Sequence, residues 1–177
     1  MNLRQISSIK DIPVLDLETG DLLGHITNWA IYPRDQRIVA WILNKNKFFR
    51  APTAVVTADI AEYGPRMVVV RDRQSIIRPD EVVGLPELVT AKMTVIGFQA
   101  TTIQGRILGI ITDLVFDTIS SQIQQYYVRP QSMAGFLQND LILPASKVTR
   151  IESNRVVFYE DVETLPVMAP QEGIQTA

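Results

Sequence analysis

The stretch GDLLGHITN, residues 20–28, returns as GRILGIITD, residues 105–113. At a constant offset of 85 the two agree at Gly20/Gly105, Leu23/Leu108, Gly24/Gly109, Ile26/Ile111 and Thr27/Thr112. A repeat that fills half a chain predicts two copies of one folding unit. Outward from it, Pro13-Val14-Leu15-Asp16-Leu17 aligns with Phe98-Gln99-Ala100-Thr101-Thr102, and Ile38–Leu43 with Ile123–Val128. The register then slips at a longer second hairpin. Pro52 and Val56 are matched to Pro144 and Val148, and Met67–Val70 to Arg155–Phe158.

The apolar runs are short, rich in Val, Ile and aromatics, and separated by turn residues, which is the pattern of β-structure. Gly20 and Gly105 follow polar residues and suit hairpin turns at positive φ. Gly24 and Gly109 fall inside strands, where glycine marks a bulge or bend of the kind a small closed barrel needs. Ile38–Leu43 is continuously apolar, so this strand is expected to be covered on both faces. Its counterpart carries Gln124 and Gln125 and reads as half-buried. Asp59–Gly64 reads as one helical turn closed by glycine. Ile76–Val83 reads as the entry to a short helix, with Pro79 in its first turn and Gly84 and Pro86 limiting its length. From Thr164 onward no period is seen, which predicts a frayed tail.

Length and charge bound the rest. The 177 residues accommodate two units of about 75–85 residues each, near the lower end of what buries its own core. Residues 1–85 hold 11 basic and 10 acidic side chains, and the remainder holds 6 and 9. Neither half has the basic excess that sequence-independent nucleic-acid binding requires. The absence of cysteine excludes disulfides, thiolate catalysis and Cys-based zinc sites. No apolar run reaches the roughly 18 residues of a membrane-spanning helix, and the N-terminus lacks the apolar core of a signal peptide. A cytoplasmic or membrane-peripheral protein is expected.

Catalytic motifs are missing. His25 is the only histidine, and its counterpart is Ile110, so it reads as a structural residue. Asn28 and Asp113 are equivalent, and Asp117 sits in a turn that favours Asp for its hydrogen bond to the following backbone. Trp29 and Trp41 read as core or seam residues. No phosphate loop, G-x-S-x-G elbow or HExxH motif occurs. No enzyme activity, cofactor or metal is expected.

The repeated G-D-L-L-G-H-I and G-R-I-L-G-I-I-T-D-L-V-F-D strings resemble the PRC-barrel domain. Asp59–Val70 resembles the turn and closing strand of that domain, and Pro79–Leu88 resembles the linker of bacterial tandem PRC-barrel proteins. The resemblance covers residues 3–163. It implies an all-β protein of two tandem six-stranded barrels joined by a short helical linker: a first barrel over 1–80, a linker over 81–92, a second barrel over 93–163 and a tail over 164–177. The family includes the cytoplasmic domain of the photosynthetic reaction-centre H subunit and the C-terminal domain of the ribosome-maturation factor RimM. The function it implies is a non-enzymatic adaptor with protein partners, in assembly or regulation of a larger complex, membrane-associated or photosynthetic. A role in ribosome or RNA maturation and a role in small-ligand binding are the alternatives.

The copies differ most in one hairpin. Lys45, Lys47 and Arg50 surround Phe48 and Phe49 in the first, and Met133, Phe136 and Leu137 occupy the second. A feature that only serves folding should recur in both copies, so Lys45, Lys47, Phe48, Arg50, Met133 and Phe136 are the expected partner-binding residues. Lysines guarding a hairpin edge are the ordinary explanation of the first cluster, and a Phe136-Leu137 start to the next strand accounts equally for the second.

Overall fold

The structure, a computed structural model, describes residues 2–44, 53–131 and 140–162, and the backbone of 165–166. The strands are β1 (Leu3–Gln5), β2 (Pro13–Asp16), β3 (Leu22–Tyr32), β4 (Arg37–Leu43), β5 (Thr53–Val56), β6 (Ile60–Tyr63) and β7 (Val68–Val70). They are followed by the short helix α1 (Leu85–Thr90). The second half contains β8 (Gln99–Thr102), β9 (Ile107–Asp117), β10 (Ile123–Arg129), β11 (Leu141–Pro144), β12 (Val148–Glu152), β13 (Arg155–Phe158) and β14 (Leu165–Pro166). The protein is predominantly β.

Two mixed sheets repeat one strand order. The first runs β5-β4-β3-β2-β7-β6, and the second runs β11-β10-β9-β8-β13-β12 with β14 added beside β11 and β1 beside β9. In both, the first and last strands of the unit pair in parallel: β2 with β7 and β8 with β13. In the strand order the sheets share, the first and last strands, β5 with β6 and β11 with β12, are consecutive in the chain, joined by 3-10 turns at Thr57–Asp59 and Ala145–Lys147.

Register corrects three of the alignments read from sequence. Val14 opposes Gly24, whereas Ala100 opposes Gly109, so β2 corresponds to Gln99–Thr102 and the first turn is one residue longer than the second. Val56 opposes Ala40 and Pro144 opposes Gln125, which makes Pro144 the counterpart of Val56 and not of Pro52. Ile60 and Val148 oppose Val70 and Phe158, so Val148 corresponds to Ile60.

Two further segments differ from expectation. Only Thr57–Asp59 is helical; Ile60–Tyr63 extends into β6, because its pairing to β7 outweighs the weak helical propensity of a four-residue segment. Gly84 does not end a helix but starts one. It stands at φ 81 as the N-cap of α1, with Pro86 in the first turn, where its missing N–H has no intrahelical partner to lose. The patternless sequence after Thr164 gives no sign of β14, whose residues pair with Leu141 and Ile142.

The identical Thr27 and Thr112 mark bulges. Ile26 and Asn28 oppose Leu43 and Ile42, and Ile111 and Asp113 oppose Val128 and Tyr127, which leaves one threonine extra on each long strand. Each hydroxyl donates to a carbonyl of the facing strand, Ile42 at 3.2 Å and Tyr127 at 3.4 Å. Near the second bulge, Gly109 passes so close to the backbone of Arg129 and Pro130 that no Cβ fits.

The apolar faces of the two sheets form one continuous core, with Trp41, Phe116, Tyr126 and Phe158 fully buried. Trp41, Tyr63 and Phe116 meet across the copies at centroid distances of 5.6–6.2 Å. A second, smaller cluster lies on the outer face of the first sheet, where Leu85 of α1 covers Ala30, Ala40, Ile42 and Ala54. This is the two-sided cover that the unbroken apolar run of β4 predicts. In β10, Gln124 is exposed and Gln125 half-buried, as expected of a strand with one solvated face.

Candidate functional site

The site-bearing geometry follows from how the copies meet. Gln36 and Ser121, equivalent turn residues, both adopt left-handed backbones at φ 50 and 60. That conformation aims their carbonyls outward. Ile38 N–H donates to Ser121 O at 2.9 Å, and Ile123 N–H donates to Gln36 O at 2.8 Å. These bonds flank an antiparallel bridge between Arg37 and Gln122, which are themselves equivalent. A pseudo-two-fold axis therefore passes through this pair.

The copies also exchange their leading segments. β1 precedes the first unit but pairs with β9 of the second, Arg4 opposite Phe116. Residues preceding the second unit hold β3 of the first: Ile31 N–H donates to Met93 O at 2.8 Å, and the Trp29 indole N–H donates to Thr94 O at 3.0 Å. A buried aromatic side chain reaches over the seam, where the Tyr126 hydroxyl bonds Gln36 Oε1 at 3.1 Å. Within the first copy, the Trp41 indole N–H donates to the Tyr63 hydroxyl at 2.9 Å. Burial pushes the Tyr63 hydroxyl up to about 12, against the opposing effect of its hydrogen bonds with Trp41 and Ser121, and it raises Tyr126 as well.

Two hollows flank the axis. One, of about 330 Å³, is lined by Arg37, Val39, Val56 to Ala58 and Ile119 to Ser121. The other, of about 440 Å³, is lined by the equivalent residues around Gln122, Gln124, Pro144 to Ser146 and Gln36. They are not alike inside. The Gln36 amide crosses its hollow to Ala145 O at 3.2 Å. Ser121 has no such reach, and on its side a slot of about 780 Å³ opens between β1 and β6. Asn2 to Arg4 form one wall, Ile60 to Tyr63 the other, and Thr57, Ala58, Thr118 and Ile119 line the remainder. Arg4 ties the walls together at one end, donating to Gly64 O at 2.5 Å and Pro65 O at 3.4 Å. Ile119 is 81% exposed beside the slot. A separate apolar groove of about 430 Å³ runs along α1, between Tyr32, Val39 and Val56 on one side and Val82, Leu85 and Leu88 on the other.

Of the residues expected to bind a partner, Lys45, Lys47, Phe48, Arg50, Met133 and Phe136 all lie outside the described residues. The stems of their hairpins are described. β4 and β10 leave the axis in opposite directions, so the stems at Leu43 and Val128 stand up to about 40 Å apart at the usual rise per strand residue. Slot residues carry no signal in the sequence: β1 has only three residues, and β6 looks helical.

The other singled-out residues bond mainly to backbone and neighbouring side chains. His25 is half-buried on β3, exchanging hydrogen bonds with Asn44 through its backbone: its N–H donates to Asn44 Oδ1 at 2.9 Å, and its carbonyl accepts from Asn44 N–H at 3.0 Å. Asn28 and Asp113 each accept the next residue's N–H, and Asp113 additionally accepts the Ser7 hydroxyl at 2.6 Å. Asp117 accepts the Ile119 and Ser120 N–H groups, and the bond from Ser120 is the leading cause holding its carboxyl below the usual range. Glu152 is held low by Arg150 and Arg155 on the exposed surface. No group of three or more His, Cys, Asp or Glu side chains is placed to share a metal ion among the described residues. Among the same residues no helix is long and apolar enough to cross a membrane.

The fold thus defines a mostly β protein of two equivalent mixed sheets joined about a pseudo-two-fold axis. No family model matches the chain, and no curated protein is significantly similar to it.

Proposed function

We propose that this chain is a tandem pair of PRC-type barrels, with the segment carrying α1 as the linker, acting as a non-enzymatic adaptor in the assembly or regulation of a larger complex. The observation that carries the reading is the division between shared and unshared features. Strand order, bulge threonines and left-handed turns recur in both copies and build the scaffold. What does not recur is a slot on one side of the axis, α1 on one outer face, and the sequence of the hairpins that follow β4 and β10. A rigid scaffold that presents unlike surfaces suits joining of protein partners. That the end strands of each sheet follow one another in the chain supports closure into barrels. The adaptor acts in the cytoplasm, at the periphery of a membrane or photosynthetic complex.

Capture with a tagged full-length chain, followed by mass spectrometry, tests this. A defined partner complex should be retained, and Lys45→Glu with Lys47→Glu, or Met133→Asp, should weaken its recovery while leaving the melting temperature nearly unchanged. Because the hairpin stems diverge, the two variants should act on different contacts and their losses should add. Turnover of a small-molecule substrate, with no protein partner retained, would overturn the adaptor reading.

A further inference from the structure

Resting on the adaptor reading, we infer that the slot between β1 and β6 is a docking site for one short extended peptide segment, bound by β-strand addition. Among the described residues, β1 pairs only with β9 and β6 only with β7. Each therefore turns alternate backbone N–H and C=O groups away from its own sheet, of which the Gln5 carbonyl accepts the Ser8 hydroxyl, and both strands wall the same cavity. Such edges are templates for another strand. A peptide laid between them gains hydrogen bonds on both of its edges and joins the first sheet to the second through itself. The three residues of β1 and four of β6 set its paired length at three to four residues.

The occupant is a peptide strand and not a second folded copy. A docking sheet brings neighbouring strands, and a slot walled on both sides admits only one. Glu62 on β6 and the register shift between Ile60 and Glu62 further disfavour edge-to-edge pairing of whole sheets. Small side chains at Ala58 and Ala61, both exposed, leave room for the incoming backbone. Exposed Leu3 and Ile119 offer apolar contact to the alternate side chains of a strand. Polar groups and size also fit, since a volume of about 780 Å³ lies within the range of ligand-holding clefts.

The full-length chain is screened against a displayed library of random eight-residue peptides, and the strongest binder is synthesised. Hydrogen exchange should show at least about tenfold added protection at amides of Leu3–Gln5 and Ile60–Tyr63 when it is bound. N-methylation at alternate peptide amides should abolish binding. Ala58→Trp, which fills the slot, and Ala61→Pro, which places a residue without N–H at the unpaired position of β6, should each weaken binding by at least about tenfold with the melting temperature kept. Undiminished binding to both variants, protection confined to other strands, or no enriched peptide at all would overturn the inference. So would a dimer of the free chain with these same amides already protected. The capture experiment is independent of the library, so the adaptor reading stands or falls separately.

Discussion

Replacing Gly109 by alanine tests the account of the bent long strands most directly. At φ 151, Gly109 holds a backbone that L-residues rarely adopt, and a Cβ there would overlap the Arg129 carbonyl oxygen. It would also lie 2.7 Å from the Arg129 carbonyl carbon and 2.9 Å from Pro130 Cα. The obstacles are backbone, so no side-chain rotation relieves them. Backbone strain of this kind costs about 1–3 kcal/mol, and forced overpacking costs about 1–3 kcal/mol more. Gly109→Ala should therefore destabilise by about 2–6 kcal/mol. Gly105 supplies the control. It has φ 87 and nothing within 4 Å of an added Cβ, so Gly105→Ala bears only the left-handed penalty of about 1–2 kcal/mol. Equilibrium urea unfolding reads the difference. With an m-value of about 2 kcal/mol per M, the midpoint should fall by about 1–3 M for Gly109→Ala and by about 0.5–1 M for Gly105→Ala. Equal shifts for the two variants would refute the close approach of β9 to β10 at this bulge.

Thr27→Val should cost about 0.5–1 kcal/mol by removing the bulge hydroxyl bond, and Thr112→Val more, since the single Thr112 hydroxyl proton is shared with the charged Asp140 carboxylate at 3.1 Å; denaturant titration checks both. Tyr63 and Tyr126 are neutral in the fold with pKa values raised by burial, so the stability they contribute is complete below about pH 10, the usual tyrosine value, and is lost as pH rises through the raised values, about 12 for Tyr63. Phenolate absorbance should show these two ionising only as the protein unfolds; a normal titration near 10 would contradict their burial. Both tryptophans belong to the first copy and Tyr126 to the second, yet one core cluster holds all three. Unfolding followed by tryptophan emission and by far-ultraviolet circular dichroism should therefore coincide, and two separated transitions would show that the copies are energetically independent.

The repeat was legible because it sits where backbone geometry dictates residue type. Glycines at positive φ and Val/Ile runs in strands announce themselves one position at a time, whereas the bulges opposite β4 and β10 fall at Thr27 and Thr112 and carried no such signal. The two-sided burial of β4 was equally readable from its unbroken apolar run. Elements held by distant partners were not. β1 and β14 are too short to carry a period, and they exist because β9 and β11 supply the other half of each ladder. β6 was obscured for the same reason. The expected site residues rested on differences between the copies, and that logic extends to the slot. Its walls, however, come from Asn2 to Arg4 and Ile60 to Tyr63, which only the exchange of leading segments brings together.

That exchange and the axis through Arg37 and Gln122 have the geometry of a two-subunit assembly written into one chain. In a true symmetric dimer every substitution appears twice, so a residue that improves one face must also be tolerated on the other. Here one polypeptide carries both faces, and that obligation is gone. Trp41 can answer Tyr126, Gln36 can answer Ser121, and α1 can cover one sheet while Gln124 leaves its counterpart bare to water. Covalent union thus turns a surface that symmetry would duplicate into one that occurs once, and fixes a one-to-one stoichiometry for whatever binds there.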